Sequence, residues 1–182
     1  FGETINGMMC RVAKRRGKKI HFYHAETRPY LQGARLTSSV SVDMGFEATV
    51  LTDNMIAYTM KYKNIDLFTS AADTIARDGS IANKIGTFQI AILADYFGIP
   101  YFVTGIPDAD KVAGKDIVIE ERDPKQVLEY RGIKNTLPMV DAIYPSFDIT
   151  PPRLISGVVT DKGVFSPYDL KTYFEKGTTK FY

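Results

Sequence analysis

Apolar side chains recur along the chain at two alternating spacings. In residues 4–16 they lie three or four positions apart, which is typical of one face of a helix, and Gly17 then interrupts the pattern. Residues 19–25 follow as a short strand pattern. The alternation continues and predicts these further elements: a helix ending near Gly45, strands over 48–52, 65–73 and 100–105, helices over 54–61 and about 84–97, a short strand over 117–122, and a short strand or turn with a small helix within 144–160.

This alternation is typical of βαβ units and predicts an α/β fold with a mainly parallel sheet flanked by helices. Because the sequence shows no internal repeat and no clear boundary, we expect one domain over 1–182. Ligands of such sheets bind beyond the carboxyl ends of the strands. Polar residues follow several predicted strands at those ends: Glu26 to Arg28, Asp53, Asp73 and Thr104. Asp53 is also suited to cap the helix over 54–61.

The composition excludes several classes of protein. With a formal net charge of +2, the chain lacks the concentrated basic field of a nucleic-acid-binding protein. Its single cysteine cannot form an intramolecular disulfide, which fits a reducing compartment. No apolar run reaches the ~20 residues that a membrane span requires, and the opening residues do not resemble a secretory leader. We therefore expect a cytoplasmic protein with neither nucleic-acid nor membrane partners.

A first polar cluster occupies residues 25–37, where a strand turns into a helix. Backbone amides at a helix start can hold a phosphate, and an arginine fork can add bidentate contacts. In the alternative interpretation this is a structural turn in which Glu26 pairs with Arg28. Spacing alone leaves both interpretations open, and the cluster also contains Gln32 and Arg35.

A second polar cluster occupies residues 70–87. Asp73 stands at a predicted strand end, and Asn83 and Lys84 stand at a predicted helix start after a glycine-containing loop. A carboxyl group beside amide and ammonium groups is suited to proton transfer on an anionic substrate. The alternative is that Asp73 caps a helix and Asn83 belongs to a turn.

The remaining chemistry-bearing residues favour structural roles. Asp148, which precedes two prolines, is predicted to be a hydrogen-bonding anchor or a helix cap. The acidic and basic residues of 117–124 are typical of a solvated or paired surface. His21 and His24 face opposite sides of a strand, so they do not form a shared metal site, and no metal is expected. Cys10 lies among apolar residues and is expected to be a buried thiol. The sequence also lacks the glycine-rich motifs of nucleotide hydrolases and the serine motif of esterases.

In this order the clusters resemble the methylthioribose-1-phosphate isomerases. That family is related to the regulatory subunits of the exchange factor for a eukaryotic translation initiation factor, and its archaeal cousins include ribose-1,5-bisphosphate isomerases. The resemblance covers Phe1 to about Gly163. It is carried by ETRPYLQGARLT (26–37), LTDNMIAYTM (51–60), ADTIARDGSIANKIGT (72–87), IVIEER (117–122) and FDITPPRLI (147–155).

The resemblance implies a Rossmann-like C-terminal domain of a homodimeric enzyme that uses no cofactor. Such an enzyme converts S-methyl-5-thioribose 1-phosphate to the matching ribulose 1-phosphate in methionine salvage. By the same resemblance Asp73 is the catalytic acid, and Gln32, Asn83 and Lys84 bind the sugar phosphate. Supporting roles are expected for Glu26, Arg28 and Asp148.

The chain departs from the family pattern at several positions. The family's catalytic cysteine belongs to a segment that we expect before Phe1, so Cys10 does not inherit its role, and the chain alone is expected to be inactive. Thr74 stands where the family places an arginine after the acid. Two alternatives therefore stay open: an isomerase of 5-deoxyribose 1-phosphate or ribose 1,5-bisphosphate, and a non-catalytic regulatory subunit that senses a phosphorylated ligand.

Overall fold

A computed structural model describes residues 5–175 of the 182-residue chain. The helix predicted over residues 4–16 begins one residue outside this range. The helices and strands are α1 (Ile5–Arg15), β1 (His21–Ala25), α2 (Ser38–Asp43), β2 (Glu47–Leu51), α3 (Ile56–Tyr62), β3 (Phe68–Ala71), β4 (Thr74–Ile75), β5 (Ile81–Lys84), α4 (Thr87–Tyr96), β6 (Tyr101–Thr104), α5 (Lys125–Leu128), β7 (Glu129–Tyr130), β8 (Ile133–Lys134), β9 (Phe147–Thr150), β10 (Gly157–Thr160), β11 (Gly163–Phe165) and α6 (Lys171–Glu175).

The chain divides into two compact units. The first unit comprises Phe1–Tyr58 with Glu121–Tyr144, and the second comprises Thr59–Glu120 with Pro145–Tyr182. The strand and helix alternation gives the α/β class that the sequence predicts, and this prediction is confirmed. Among the described residues, no helix is long and apolar enough to cross a membrane.

In the first unit, β1 and β2 form a parallel pair that runs from His21 opposite Glu47 to Ala25 opposite Leu51. A single π-helical turn, Gly33–Thr37, leads into α2. A Cβ atom added to Gly33 would lie 1.7 Å from the carbonyl oxygen of Ala25. Because only glycine permits this close approach, the turn can begin directly against the end of β1.

A small polar network lies inside the first unit. His24 is 8% exposed, and its Nε2 lies 2.9 Å from Oγ of Ser41. The side-chain amide of Asn6 donates a second hydrogen bond to the same hydroxyl. His21, by contrast, has a 40% exposed side chain beside Glu47. The prediction that the two histidines face opposite sides of the strand is confirmed.

In the second unit, β3, β6 and β10 form a parallel sheet to which β11 adds an antiparallel edge. The core of this unit is apolar because its buried positions carry large hydrocarbon and aromatic side chains. Its members include Ile75, Ile81, Tyr101, Val103, Val158 and Leu170. A separate antiparallel sheet has the order β4-β5-β9.

Three local predictions need correction. Asn83 and Lys84 do not open a helix: they end strand β5, and α4 begins at Thr87. The predicted strand over 117–122 is absent from the described structure, where only Glu121 forms an isolated bridge. Asp53 does not cap α3, because its carboxylate accepts hydrogen bonds from backbone amides of a distant turn. For Asn83, Lys84 and Asp53, tertiary hydrogen bonds outweigh the local propensity on which the prediction was based.

Gly33→Ala should destabilise the protein by about 3 kcal/mol, because its Cβ would overlap the Ala25 carbonyl and force the backbone to move. Gly45→Ala is the matched control. Its Cβ would meet nothing within 4 Å, so only its positive φ of 81° costs energy, about 1 kcal/mol. Urea unfolding of both variants measures the difference, and equal losses would contradict the close approach.

The stability of the protein should depend on pH through His24. Burial lowers the pKa of His24 from 6.5 to about 4. Between these values the unfolded chain binds a proton that the folded chain does not bind, so the free energy of unfolding falls as the pH falls. The loss should approach about 3 kcal/mol. His24→Gln, which keeps an acceptor for Ser41, should flatten this part of the curve, whereas the control His21→Gln should not. Superimposable curves for wild type and His24→Gln would contradict the assignment.

Candidate functional site

Asp73 lies where the parallel sheet of the second unit ends. It follows β3 directly, and the preceding residue, Ala72, donates its N–H to the carbonyl of Thr104 at the end of β6. The N–H of Asp73 itself donates to the carbonyl of Ala82, at 2.9 Å. Asp73 is therefore hydrogen-bonded to the peptide that joins Ala82 to Asn83. It lies at the carboxyl ends of the parallel strands, where α/β proteins bind ligands.

Asn83 and Lys84 are the last two residues of β5. The Asn83 side-chain amide nitrogen lies 3.0 Å from Oγ1 of Thr87. The Lys84 ammonium lies 4.0 Å from the centre of the Phe147 ring, which is a cation–π distance. The strand pairing, rather than a helix start, thus brings the backbone segment that carries Asn83 and Lys84 next to the backbone of Asp73.

Asp148 holds this region together. Its strand, β9, pairs with β5 so that Asp148 lies opposite Asn83. Its carboxylate accepts hydrogen bonds from the N–H of Gly86, at 2.7 Å, and from the N–H of Phe88, at 3.0 Å. These are amides at the start of α4, where the helix itself offers no acceptor. The prediction that Asp148 is a hydrogen-bonding anchor and helix cap is confirmed.

The environment of Asp148 also affects its protonation. Burial raises the pKa of Asp148 above its ordinary value, while the hydrogen bonds from Phe88 and Gly86 act in the opposite direction. The nearby Tyr101 hydroxyl lies 2.6 Å from Oγ of Ser70. Burial raises the pKa of Tyr101, the Ser70 hydrogen bond opposes this change, and the charge of Asp148 adds to it. Both side chains therefore act as fixed polar groups of a weakly solvated region.

Some polar groups near this site escaped the sequence analysis. Ser146 and Thr150 are fully buried, and within residues 5–175 no hydrogen bond reaches either hydroxyl oxygen. Thr150 ends β9 and Ser146 directly precedes it, so both stand two residues from Asp148, a period that the sequence displays. Thr87 was also missed, although it stands four residues after Asn83.

In the first unit, Arg28 is a structural clamp. Its guanidinium donates hydrogen bonds to the carbonyl oxygens of Gln126, Val127 and Glu129, at 3.1, 3.2 and 3.2 Å. These groups surround the end of α5, where unpaired carbonyls attract a cation. The geometry favours the structural interpretation of the 25–37 cluster, but the partners of Arg28 are carbonyls rather than the predicted Glu26.

The turn that carries Arg28 is held by Asp53. The Asp53 carboxylate accepts the N–H groups of Thr27, at 2.9 Å, and of Arg28, at 2.7 Å. These two amides are thus occupied and do not form the phosphate cradle that was one interpretation of this cluster. Gln32 differs, because its buried Oε1 has no hydrogen-bond partner among the described residues. A buried acceptor without a partner is unfavourable and is suited to a ligand donor.

Cys10 and the potential metal ligands complete the set of predicted residues. Cys10 is fully buried, so the prediction of a buried thiol is confirmed, and burial raises the pKa of that thiol. In the part of the chain that the structure describes, no group of three or more histidine, cysteine, aspartate or glutamate residues is arranged to hold a metal ion.

Comparison with known proteins identifies relatives that match most of the chain. The model of the initiation factor 2 subunit family matches residues 3–167. A methylthioribose-1-phosphate isomerase of Bacillus pumilus (strain SAFR-032) is 47% identical over 158 residues, which is 85% of this chain and 45% of the relative. A second, from Desulfitobacterium hafniense (strain DSM 10664 / DCB-2), is 45% identical over 166 residues, covering 89% of this chain and 48% of the relative.

Solved structures give the same result. The 5-methylthioribose 1-phosphate isomerase of Pyrococcus horikoshii OT3 superimposes with a TM-score of 0.86 at 38% identity, over 93% of this chain and 49% of that chain. The translation initiation factor eIF-2B, subunit delta, from A. fulgidus superimposes with a TM-score of 0.84 at 31% identity, over 92% and 49%. The chain spans about half the length of these relatives. On the strength of both the sequence match and the shared fold, this chain belongs to the initiation factor 2 subunit family.

Proposed function

We propose that the protein is an aldose–ketose isomerase that converts S-methyl-5-thioribose 1-phosphate to S-methyl-5-thioribulose 1-phosphate. The identity of 47% and 45% with relatives that carry the name methylthioribose-1-phosphate isomerase supports this function. The main structural support is the pairing of β4 with β5, because the backbone of Asp73 lies beside the end of β5, which contains Asn83 and Lys84.

The reaction explains why these residue types are needed. A phosphate on C1 prevents the sugar ring from opening as a free aldose does, so an acid is needed to protonate the ring oxygen while the bond from that oxygen to C1 breaks. A hydride then passes from C2 to the electron-deficient C1, and the C2 hydroxyl gives its proton to the carboxylate left by the acid as the ketone forms, which restores the acid. We assign the role of the acid to Asp73.

The remaining residues bind and orient the sugar phosphate in this proposal. Lys84 supplies a positive charge for the anionic substrate. Gln32 offers its unpartnered buried Oε1, and Asn83 offers its amide. Asp148 supports Asn83 from the paired strand. For Glu26 and Arg28 the proposed contribution is support of the turn that precedes Gln32.

The rest of the proposal concerns the whole protein. We infer a cytoplasmic homodimer that needs no cofactor, in which this chain corresponds to a single Rossmann-like C-terminal domain and the catalytic cysteine lies outside it. A regulatory protein that senses a phosphorylated ligand is the second candidate, because the A. fulgidus structure described as a translation initiation factor subunit has nearly the same TM-score as the isomerase structure.

A substrate panel separates these candidates. We expect kcat/KM of the full-length protein to be highest for S-methyl-5-thioribose 1-phosphate, lower for 5-deoxyribose 1-phosphate and lowest for ribose 1,5-bisphosphate, whose second phosphate differs most from a methylthio group. A strong preference for the bisphosphate would contradict the assigned substrate. Tight binding of a sugar phosphate without turnover of any of the three would support the regulatory candidate.

Asp73→Asn should lower kcat of the full-length protein by ~10²–10⁴-fold, because an amide of the same shape cannot deliver a proton to the ring oxygen. KM should change little, since the hydrogen-bonding shape of the side chain is retained. Asp95→Asn is the matched control: it makes the same charge change on an exposed position of α4 and should leave both constants unchanged. If Asp73→Asn retains more than about a tenth of wild-type kcat, Asp73 is not the acid.

A further inference from the structure

Thr87, the first residue of α4, makes two hydrogen bonds that point back to β5. Its side chain is nearly buried, with 6% of the residue exposed. Its Oγ1 lies 2.7 Å from the carbonyl oxygen of Lys84 and 3.0 Å from Nδ2 of Asn83. The hydroxyl thus joins the backbone of one proposed substrate-binding residue to the side chain of the other.

The chemistry of the three groups determines the direction of both hydrogen bonds. A backbone carbonyl can only accept, so the Thr87 hydroxyl must donate its single hydrogen to Lys84. The hydroxyl oxygen is then left as an acceptor, and only the NH₂ end of the Asn83 amide can donate to it. The two ends of an amide have the same shape, and this chain of bonds selects one of the two orientations.

The selected orientation leaves Oδ1 available as an acceptor and the second N–H of Nδ2 available as a donor. Within residues 5–175, no hydrogen bond reaches Oδ1 of Asn83. An Oδ1 atom can only accept, so its natural partner on a sugar phosphate is a hydroxyl group, which can donate. A phosphate dianion offers acceptors alone and would require an N–H or an ammonium group instead.

We propose that Thr87 is a positioning residue that holds Asn83 with Oδ1 free, so that Asn83 accepts a hydrogen bond from a sugar hydroxyl and does not bind the phosphate. This inference rests on the proposed isomerase function, and it assigns the hydroxyl part of the substrate to Asn83. The phosphate is left to cationic groups such as Lys84.

A double-mutant cycle in the full-length protein tests the coupling. Thr87→Val keeps the β-branched shape of the side chain but removes the hydroxyl, so the Asn83 amide loses its orientation, and KM should rise about threefold to tenfold. Asn83→Ala should raise KM by a similar or larger factor. In the Asn83→Ala background, Thr87→Val should add less than about twofold, because Thr87 acts through the amide that is already missing. Additive effects on KM would overturn the proposal and leave Thr87 a purely structural residue.

Conservative variants separate positioning from folding. Thr87→Ser keeps the hydroxyl, so its KM should stay close to that of the wild type, while thermal unfolding of each variant confirms that it is folded. If Thr87→Val does not fold, Thr87→Ala takes its place in the cycle, because it removes the hydroxyl without placing a methyl group against the amide. If neither variant folds, the hydroxyl is required for the fold and the positioning role is rejected.

Inorganic sulfate tests which part of the substrate Asn83 contacts. As a competitive inhibitor it resembles the phosphate dianion and offers no hydroxyl group, so its inhibition constant should stay within about twofold of wild type in Asn83→Ala and in Thr87→Val. An inhibition constant that rises together with KM would show that Asn83 donates its second N–H to the phosphate, which would overturn the assignment.

Turnover by the wild-type protein shows whether a negative result concerns the isomerase function or only the role of Thr87. If it does not turn over any of the three sugar phosphates, the isomerase function fails, and the role of Thr87 in it fails as well. If the wild type is active but the cycle is additive, the isomerase function stands and only the inference about Thr87 is wrong.

Discussion

The candidate site depends on a single half-buried carboxylate, that of Asp148. Withdrawing a charge from water is costly unless hydrogen bonds replace the water that it loses, and here two backbone amides at the start of α4 do so. The same amides would otherwise be unpaired donors, since the first turn of a helix has no internal acceptor for them. One interaction thus satisfies both the carboxylate and the helix start.

The position of Asp148 on β9 extends this constraint to the neighbouring strand. Because β9 pairs with β5, an anchor that ties β9 to α4 also sets the place of Asn83 and Lys84. Gly86, between β5 and α4, has a φ of 101°, a conformation that a side chain would strain. The chain can therefore turn from strand to helix within two residues and return Thr87 to Asn83. The bonds of Asp148 thus determine where Asn83 lies along the sheet, whereas the bond to Thr87 determines the orientation of the Asn83 amide.

In the first unit, too, an aspartate carboxylate accepts hydrogen bonds from two backbone amides of another segment. Asp53 binds two amides of the turn after β1, and this turn contains Thr27 at a φ of 64°. A positive φ is unfavourable for a residue with a branched side chain and requires support from the surrounding structure. With its backbone held by Asp53, Arg28 directs its guanidinium to the carbonyls at the end of α5. Both candidate clusters are thus built on loops whose amides are bound by an aspartate from another element.

The sequence by itself determined the class of the fold and supplied the candidate residues that the proposal uses. Apolar spacing distinguishes a helix from a strand over several residues, so α1, β1, β2 and β6 lie close to where the pattern predicts them. The buried thiol of Cys10 and the opposite faces of His21 and His24 followed from the same local reasoning. The motifs that resemble the isomerases were also sufficient to indicate the family, because they are read directly from the order of residues.

Tertiary structure alone decided how those residues are used. Asn83 and Lys84 follow a glycine-containing loop and precede an apolar helix, so local pattern placed them on the helix, whereas pairing with β9 makes them the end of a strand. The partners of Arg28 lie about a hundred positions away in the chain, at a separation of 98 residues for Gln126, and no local spacing predicts such a bond. Propensity acts over a few neighbouring residues, whereas hydrogen bonds and packing join distant segments only after the chain has folded, which is why the orientation of a single amide could be obtained from the structure and not from the sequence.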